Sequence, residues 1–245
     1  MGTKAIDPQS IRNVTLIGDP DETTRVAHRL RRSAPTGSNT IHWALDHADH
    51  MVRVTELSIH APMAELERGI RVADGIVVLV DATLPRRPRL ETTLRVADDH
   101  QVARLCLLHG LDRPGADYDR CLRTITETRG ATPLKLQLPL GAAPGFEPII
   151  DLPSLWAFEP LAAEIYGPHW QLAEQSYRAL MNSVLAQDPT QLHHRIRSLT
   201  RIGDVIPILC GTAIDTDDTT RLLDAIVRYL PSPLDVCQPE HALDY

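Results

Sequence analysis

Residues 102–119 read VARLCLLHGLDRPGADYD, and the fold turns on them. Residues 103–108 are mostly apolar, and the run stops at His109-Gly110. A Gly-containing turn then leads into a helical spacing that puts Tyr118, Cys121, Leu122 and Ile125 on one face. This is the pattern of a buried strand feeding a loop and then a helix. In an open α/β sheet ligands sit at the carboxyl ends of the strands, so recognition or chemistry is expected at the loop His109–Asp112.

The neighbouring segments repeat the pattern. Gly75–Ala82 is a near-continuous apolar run, as expected of a parallel strand buried on both faces. Asn13–Ile17, Met51–Leu57 and Asp204–Cys210 read as further strands. Helical spacing recurs over 61–73 (Met63, Leu66, Ile70, Ala73), 88–100 (Leu90, Leu94, Ala97) and 222–230 (Leu222, Leu223, Ile226, Val227, Leu230). Residues 132–159 alternate polar and apolar over Pro133–Leu140 and again around Pro148–Phe158, with helical patterns following over 169–187 and 190–200. Strands alternating with helices give the α/β class, with a mostly parallel sheet and helices on both faces.

Composition narrows the function classes. A chain of 245 residues that is 43% apolar can bury a substantial core. A net charge of −7 and a pI near 5.9 argue against autonomous nucleic-acid binding through a basic surface. Cys106, Cys121, Cys210 and Cys237 are widely spaced without a CxxC pair and read as reduced residues of a cytoplasmic protein. The chain has no apolar run of the ~18 residues a membrane span needs, so no membrane association is expected.

The runs RVADGIVVLVDA (71–82), LCLLHGLDRPGADYDR (105–120), GATPLKLQLPLGA (130–142) and YLPSPLDV (229–236) resemble the GTP-binding domain of translation elongation factor G, a translational GTPase. The resemblance spans about residues 11–237. It implies a P-loop NTPase-like three-layer sandwich with a small α+β inserted subdomain. The nucleotide domain would then be 1–131 with 201–237, the insert 132–200, and 238–245 a tail. The family's later domains would be absent.

Carried over position by position, the resemblance implies a nucleotide site whose key residues have changed. The phosphate loop's Gly-Lys-Thr-Thr falls on Asp21-Glu22-Thr23-Thr24, which keeps both threonines, with Thr23 as the candidate magnesium ligand. Two unit charges ~4 Å apart at an effective dielectric of ~20 interact by about 4 kcal/mol, so Glu22 in place of lysine turns attraction for phosphate into repulsion of that size. On charge alone, Asp21→Gly with Glu22→Lys would restore GTP binding if only those positions broke the site. Asp19, Asp21 and Thr23 also suit a turn and helix cap. The second switch motif, Asp-Thr-Pro-Gly-His, falls on residues 55–59, leaving Thr55, Ser58 and Ile59 where a carboxylate, a glycine and a histidine are required. The guanine-reading Asn-Lys-x-Asp stands as His109-Gly110-Leu111-Asp112 and keeps only Asp112, which equally suits a turn before Arg113-Pro114-Gly115. Gly211-Thr212-Ala213 preserves a second base-reading loop.

Residues 33–51 replace a longer first switch, with Thr40 as the counterpart the resemblance offers for its threonine. His42, Asp46, His47, Asp49 and His50 gather there as possible metal ligands. Three readings follow. The chain is a pseudo-GTPase that acts as a translation-related or protein-interaction module; a GTPase with altered motifs that binds GTP or GDP with magnesium; or a metal-dependent or structural protein. The resemblance implies the ribosome, its stalk protein or a translation-factor chain as partner, reached through the insert.

Overall fold

The computed structural model describes residues 7–33, 39–85, 88–128, 130, 132–140, 147–155, 161–211 and 219–236. In chain order the elements are β1 (Ile11–Gly18), α1 (Pro20–Leu30), β2 (Thr40–Leu45), β3 (Ala48–Ser58), α2 (Met63–Arg71), β4 (Gly75–Asp81), α3 (Pro88–Asp99), β5 (Ala103–His109) and α4 (Tyr118–Glu127). They continue as β6 (Pro133–Lys135), β7 (Gln137–Leu140), β8 (Glu147–Asp151), α5 (Ala162–Tyr166), α6 (Trp170–Ser183), α7 (Leu192–Arg201), β9 (Ile206–Cys210), α8 (Thr220–Tyr229) and α9 (Pro233–Val236). One sheet runs in the order β2-β3-β1-β4-β5-β9-β6. Only the β2–β3 pairing in it is antiparallel.

The central strands are apolar throughout because both faces are covered. From β4, Ile76, Val78 and Val80 point into a layer closed by Leu66 and Ile70 of α2, Leu94 and Ala97 of α3, and Cys121 and Ile125 of α4. Val77 and Leu79 point the other way, against Val26 and Leu30 of α1, Ile196 of α7 and Ile226 of α8. Cys106, Cys121 and Cys210 are buried thiols outside any disulfide, and burial pushes the Cys106 thiol up to about 12 and that of Cys210 up as well. Cys237 lies outside the described residues. Among the described residues no helix is long and apolar enough to cross a membrane.

Within residues 33–51, Thr40–Leu45 forms a strand that the sequence reading does not anticipate. It pairs with β3 through a two-residue turn in which Asp46 and His47 have φ of 50° and 65°. That left-handed pair suits the twist of a hairpin. Arg228 of α8 holds Asp46 bidentately at 2.7 and 3.0 Å, and Trp43 Nε1 donates to Asp224 at 2.8 Å, so the hairpin is fastened to the last long helix.

Pro133–Lys135 is the seventh strand of the main sheet, and among the described residues β7 and β8 form a separate two-stranded ribbon. Gln137 is tied to the main sheet as well, its Oε1 accepting from Cys210 N at 2.7 Å. Ala173, Leu180 and Val184 from α6 and the residue after it, with Leu192 and Ile196 of α7, share the apolar core of α1 and α8. These buried residues tie α6 and α7 to the main sheet, while much of the surface of α5 and α6 stays exposed.

His193 on α7 lies in this layer, with its Nδ1 2.8 Å from Tyr229 Oη. Burial lowers its pKa from the ordinary 6.5; Arg228 adds to the shift, while Asp151 and Asp46 oppose it. The unfolded chain therefore takes this proton first. Stability is complete above 6.5 and is lost as pH falls from there through the folded value. Urea midpoints measured between about pH 7.5 and 5 should drop on acidification, and His193→Asn should flatten the slope.

Candidate functional site

The carboxyl ends of β1, β3, β4, β5 and β9 form one edge of the sheet, where the sequence places the nucleotide elements. A phosphate loop spans G-x-x-x-x-G-K-[ST] between strand and helix, and its backbone amides cradle the anion. Here β1 ends at Gly18 and α1 starts at Pro20, so Asp19 alone separates them. Asp19 caps the helix, its carboxylate accepting from Asp21 N at 3.1 Å, while Glu22 N and Thr23 N donate to its carbonyl at 3.0 and 2.9 Å. Pro20 has no N–H to offer. The amides that would hold phosphate are absent or already used.

The retained threonines are engaged within the protein. Thr23 is 2% exposed, and its hydroxyl donates to the carbonyls of Asp19 and Pro20 at 3.2 and 3.0 Å, so the oxygen is turned into the first helical turn rather than out toward a cation. Thr24 donates to Glu56 at 3.0 Å, and Glu56 also holds Arg31 at 2.8 Å. Gly18 serves packing, since a Cβ there would sit 2.9 Å from Leu79 Cβ and 3.3 Å from Thr23 Cγ2.

Glu22 makes a contact that sequence reasoning missed. Its Oε2 lies 3.0 Å from Nε2 of His109, which is 1% exposed at the end of β5. The two altered motifs therefore close on each other across the edge. His109 Nδ1 and Asp112 Oδ1 are buried without hydrogen-bond partners among the described residues. Gly110 has φ of +73°, and a Cβ on it would lie 3.3 Å from the Asp81 carboxylate. Burial pushes the Asp81 pKa up, but hydrogen bonds from Thr83 N and Oγ1, with the charges of His109 and Arg113, hold it below the ordinary value.

The switch positions are built into the sheet. Thr55 is an exposed residue within β3, in register with Thr15 of β1, and Ser58 pairs with Gly18. Ser58 Oγ accepts from His60 N at 3.1 Å, Ile59 N donates to Gly18 O at 2.8 Å, and Ile59 packs against the core. Gly211 N donates to Leu108 O at 2.7 Å, whereas Thr212 and Ala213 lie outside the described residues. Asp19, Asp21, Glu22, Asp81 and Asp112 give this edge a strongly acidic character. The described residues do not fit a magnesium-bound triphosphate, whose phosphates would meet these carboxylates at close range.

The histidines and aspartates of residues 42–50 do not assemble. They are spread along the β2–β3 hairpin, and no group of three metal-ligating side chains occurs among the described residues.

The sequence model of the elongation factor Tu GTP binding domain matches residues 62–232, beginning just beyond the phosphate-loop and switch positions. Elongation factor G 2 of Streptomyces coelicolor is 36% identical over 211 residues, which cover 77% of this chain and 31% of that protein. The chain thus spans about a third of this relative's length. A crystal structure of a protein from Thermus thermophilus superposes with a TM-score of 0.69 at 18% identity, covering 93% of this chain and 41% of that one, a likeness of fold. With a mostly parallel sheet, helices on both faces and a family match over most of its length, the chain belongs to the elongation factor Tu GTP-binding domain family.

Proposed function

We propose that this elongation-factor-G-like domain is a pseudo-GTPase, a binding module that works without turning over nucleotide. The observation that carries the reading is the join between β1 and α1. One residue replaces the phosphate loop, and Glu22, which stands in the lysine position, is locked to His109. No carboxylate, glycine or histidine stands at residues 55, 58 and 59 to hold magnesium or place an attacking water.

The ribosome, its stalk protein or a translation-factor chain is the proposed partner. Exposed Leu161, Ile165 and Leu172, on and beside α5 and α6, offer such a partner apolar contact area. The net charge of −7 weighs against nucleic acid as an independent ligand, and the buried reduced thiols suit the cytoplasm.

One observation favours a second reading, that GTP or GDP with magnesium still binds. The unpartnered Asp112 Oδ1 is a suitable acceptor for the N–H groups of a guanine edge. Calorimetric titration with GTP, GDP and ATP in the presence of magnesium separates the two. The pseudo-GTPase reading expects no saturable heat at nucleotide concentrations up to about 1 mM. Micromolar, guanine-specific binding that Asp112→Ala abolishes would establish the second reading instead.

A further inference from the structure

At the amino-terminal end of the sheet, away from the nucleotide edge, a cleft of about 270 Å³ opens between β1, the β2–β3 hairpin, α7 and α8. Arg12, His50, His193, His194, Arg197 and Arg228 line it. We propose that this cleft binds a small phosphate oxyanion, either inorganic phosphate or a phosphomonoester, through Arg197, His194 and His50 with Arg12 supplying charge from behind.

Arg12 is 2% exposed. Its terminal nitrogens donate to the carbonyls of Gln9, Ile11 and Val227, and its Nε has no partner among the described residues. These acceptors are neutral, so the guanidinium charge is not cancelled by them. Burial first, then Arg197, lowers its pKa to about 10 against the opposing pull of Asp235 and Asp74. It still carries its charge at neutral pH.

The histidines report the same field. Burial lowers the His50 pKa, and Arg12 and Arg197 lower it further, ahead of the raising effects of Asp46 and Asp49. At His193 the effect of Arg228 comes ahead of those of Asp151 and Asp46. Cations therefore outweigh anions at the His50 ring. His50 Nδ1 is buried and unpartnered among the described residues, available as a donor in the Nδ1–H tautomer.

Three of the nearby carboxylates are committed. Asp46, the one acidic residue lining the cleft among the described residues, holds Arg228, and Asp74 takes the backbone and side-chain N–H of Asn13. Asp235 accepts from Arg197 Nη2 at 2.7 Å and from Ser232 N and Oγ. Arg197 Nη1 has only a long contact, 3.3 Å to Val227 O, which an oxyanion would better. Donors that converge from separate elements suit a tetrahedral anion more than a planar carboxylate. A cleft of this size suits a small ligand more than a nucleic-acid backbone.

The test is an NMR titration of the intact chain with inorganic phosphate, then methyl phosphate, at constant ionic strength set by chloride. Saturable shifts at His50, His194 and Arg197 are expected, with His194→Ala and Arg197→Gln each weakening binding about tenfold or more. His194 is exposed, so its substitution keeps the test valid if the Arg197 variant fails to fold. A short single-stranded RNA should produce no saturable shift. Linear drift up to about 50 mM phosphate, saturation by RNA alone, or phosphate binding indifferent to His194→Ala would each overturn the proposal.

Discussion

Replacing Arg104 with alanine should lower the unfolding free energy by about 3 kcal/mol, a large part of the stability of an ordinary domain. Arg104 interrupts the apolar run of β5 and is fully buried. Its Nη1 donates to Leu94 O of α3 at 3.1 Å, and its Nη2 to Gly203 O at 2.7 Å with Asp98 at 3.0 Å. One side chain thus joins β5, α3 and the turn after α7. The surroundings are fitted to it. Gly203 has φ of +82°, and a Cβ there would lie 3.1 Å from Nη2; a Cβ on Gly130 would strike the Asp98 carboxylate.

Truncation leaves two carbonyls without their donor and a void where the guanidinium lay. Asp98 is one-third exposed, so its charge is screened and the ion pair itself is the smaller part. Arg104→Met, which keeps volume and loses the donors, should therefore recover part of the loss. The double-mutant coupling between Arg104 and Asp98 should stay near or below about 1 kcal/mol. Urea unfolding measures all three. A cost below about 1 kcal/mol for Arg104→Ala would show that these hydrogen bonds do not hold the layers together.

The residues that made the fold legible are those whose environment is uniform along an element. β4 and β5 lie between two helical layers, so their apolar runs were unmistakable, and α8 carries its buried face at plain helical spacing. Strand β2 was missed because TIHWAL alternates around a histidine and its turn is Asp-His rather than the Asn-Gly a hairpin usually announces. The division of residues 133–140 into β6 and β7 was hidden for another reason. Period-two alternation identifies extended chain and is silent about which strand it pairs with.

At the site, the missing glycine, lysine and switch residues could be read directly. The shortness of the β1–α1 join was also present in Gly18-Asp19-Pro20, since Asp before Pro is a helix-start signal. Matched position by position to a phosphate loop, residues 21–24 show the change of charge and not the change of length. The Glu22–His109 contact joins residues 87 positions apart, and the cleft at the opposite end collects side chains from residues 12 to 228. Neither has a local signature.

The same geometry makes the double variant Asp21→Gly, Glu22→Lys fail to recover GTP binding, contrary to what charge alone would predict. A lysine at 22 removes the repulsion and supplies a cation. It cannot supply the missing length, because Asp19 still joins strand to helix and its carboxylate still takes the amide of residue 21. The dissociation constant for magnesium-GTP should remain weaker than about 1 mM.

The protein should also lose about 2–4 kcal/mol of stability. His109 would be left buried with neither ring nitrogen paired, at a cost of about 1–3 kcal/mol. Glycine in the first turn and a cation at the positive end of the α1 dipole cost about 1 kcal/mol more. Glu22→Gln can still hydrogen-bond His109, so that single substitution should lose about 1 kcal/mol and likewise gain no nucleotide affinity. Calorimetry for binding and urea midpoints for stability give the two readouts separately. Micromolar GTP affinity in the folded double variant would mean that α1 gives way to form a phosphate loop, and the pseudo-GTPase reading would then rest on two side chains rather than on the backbone.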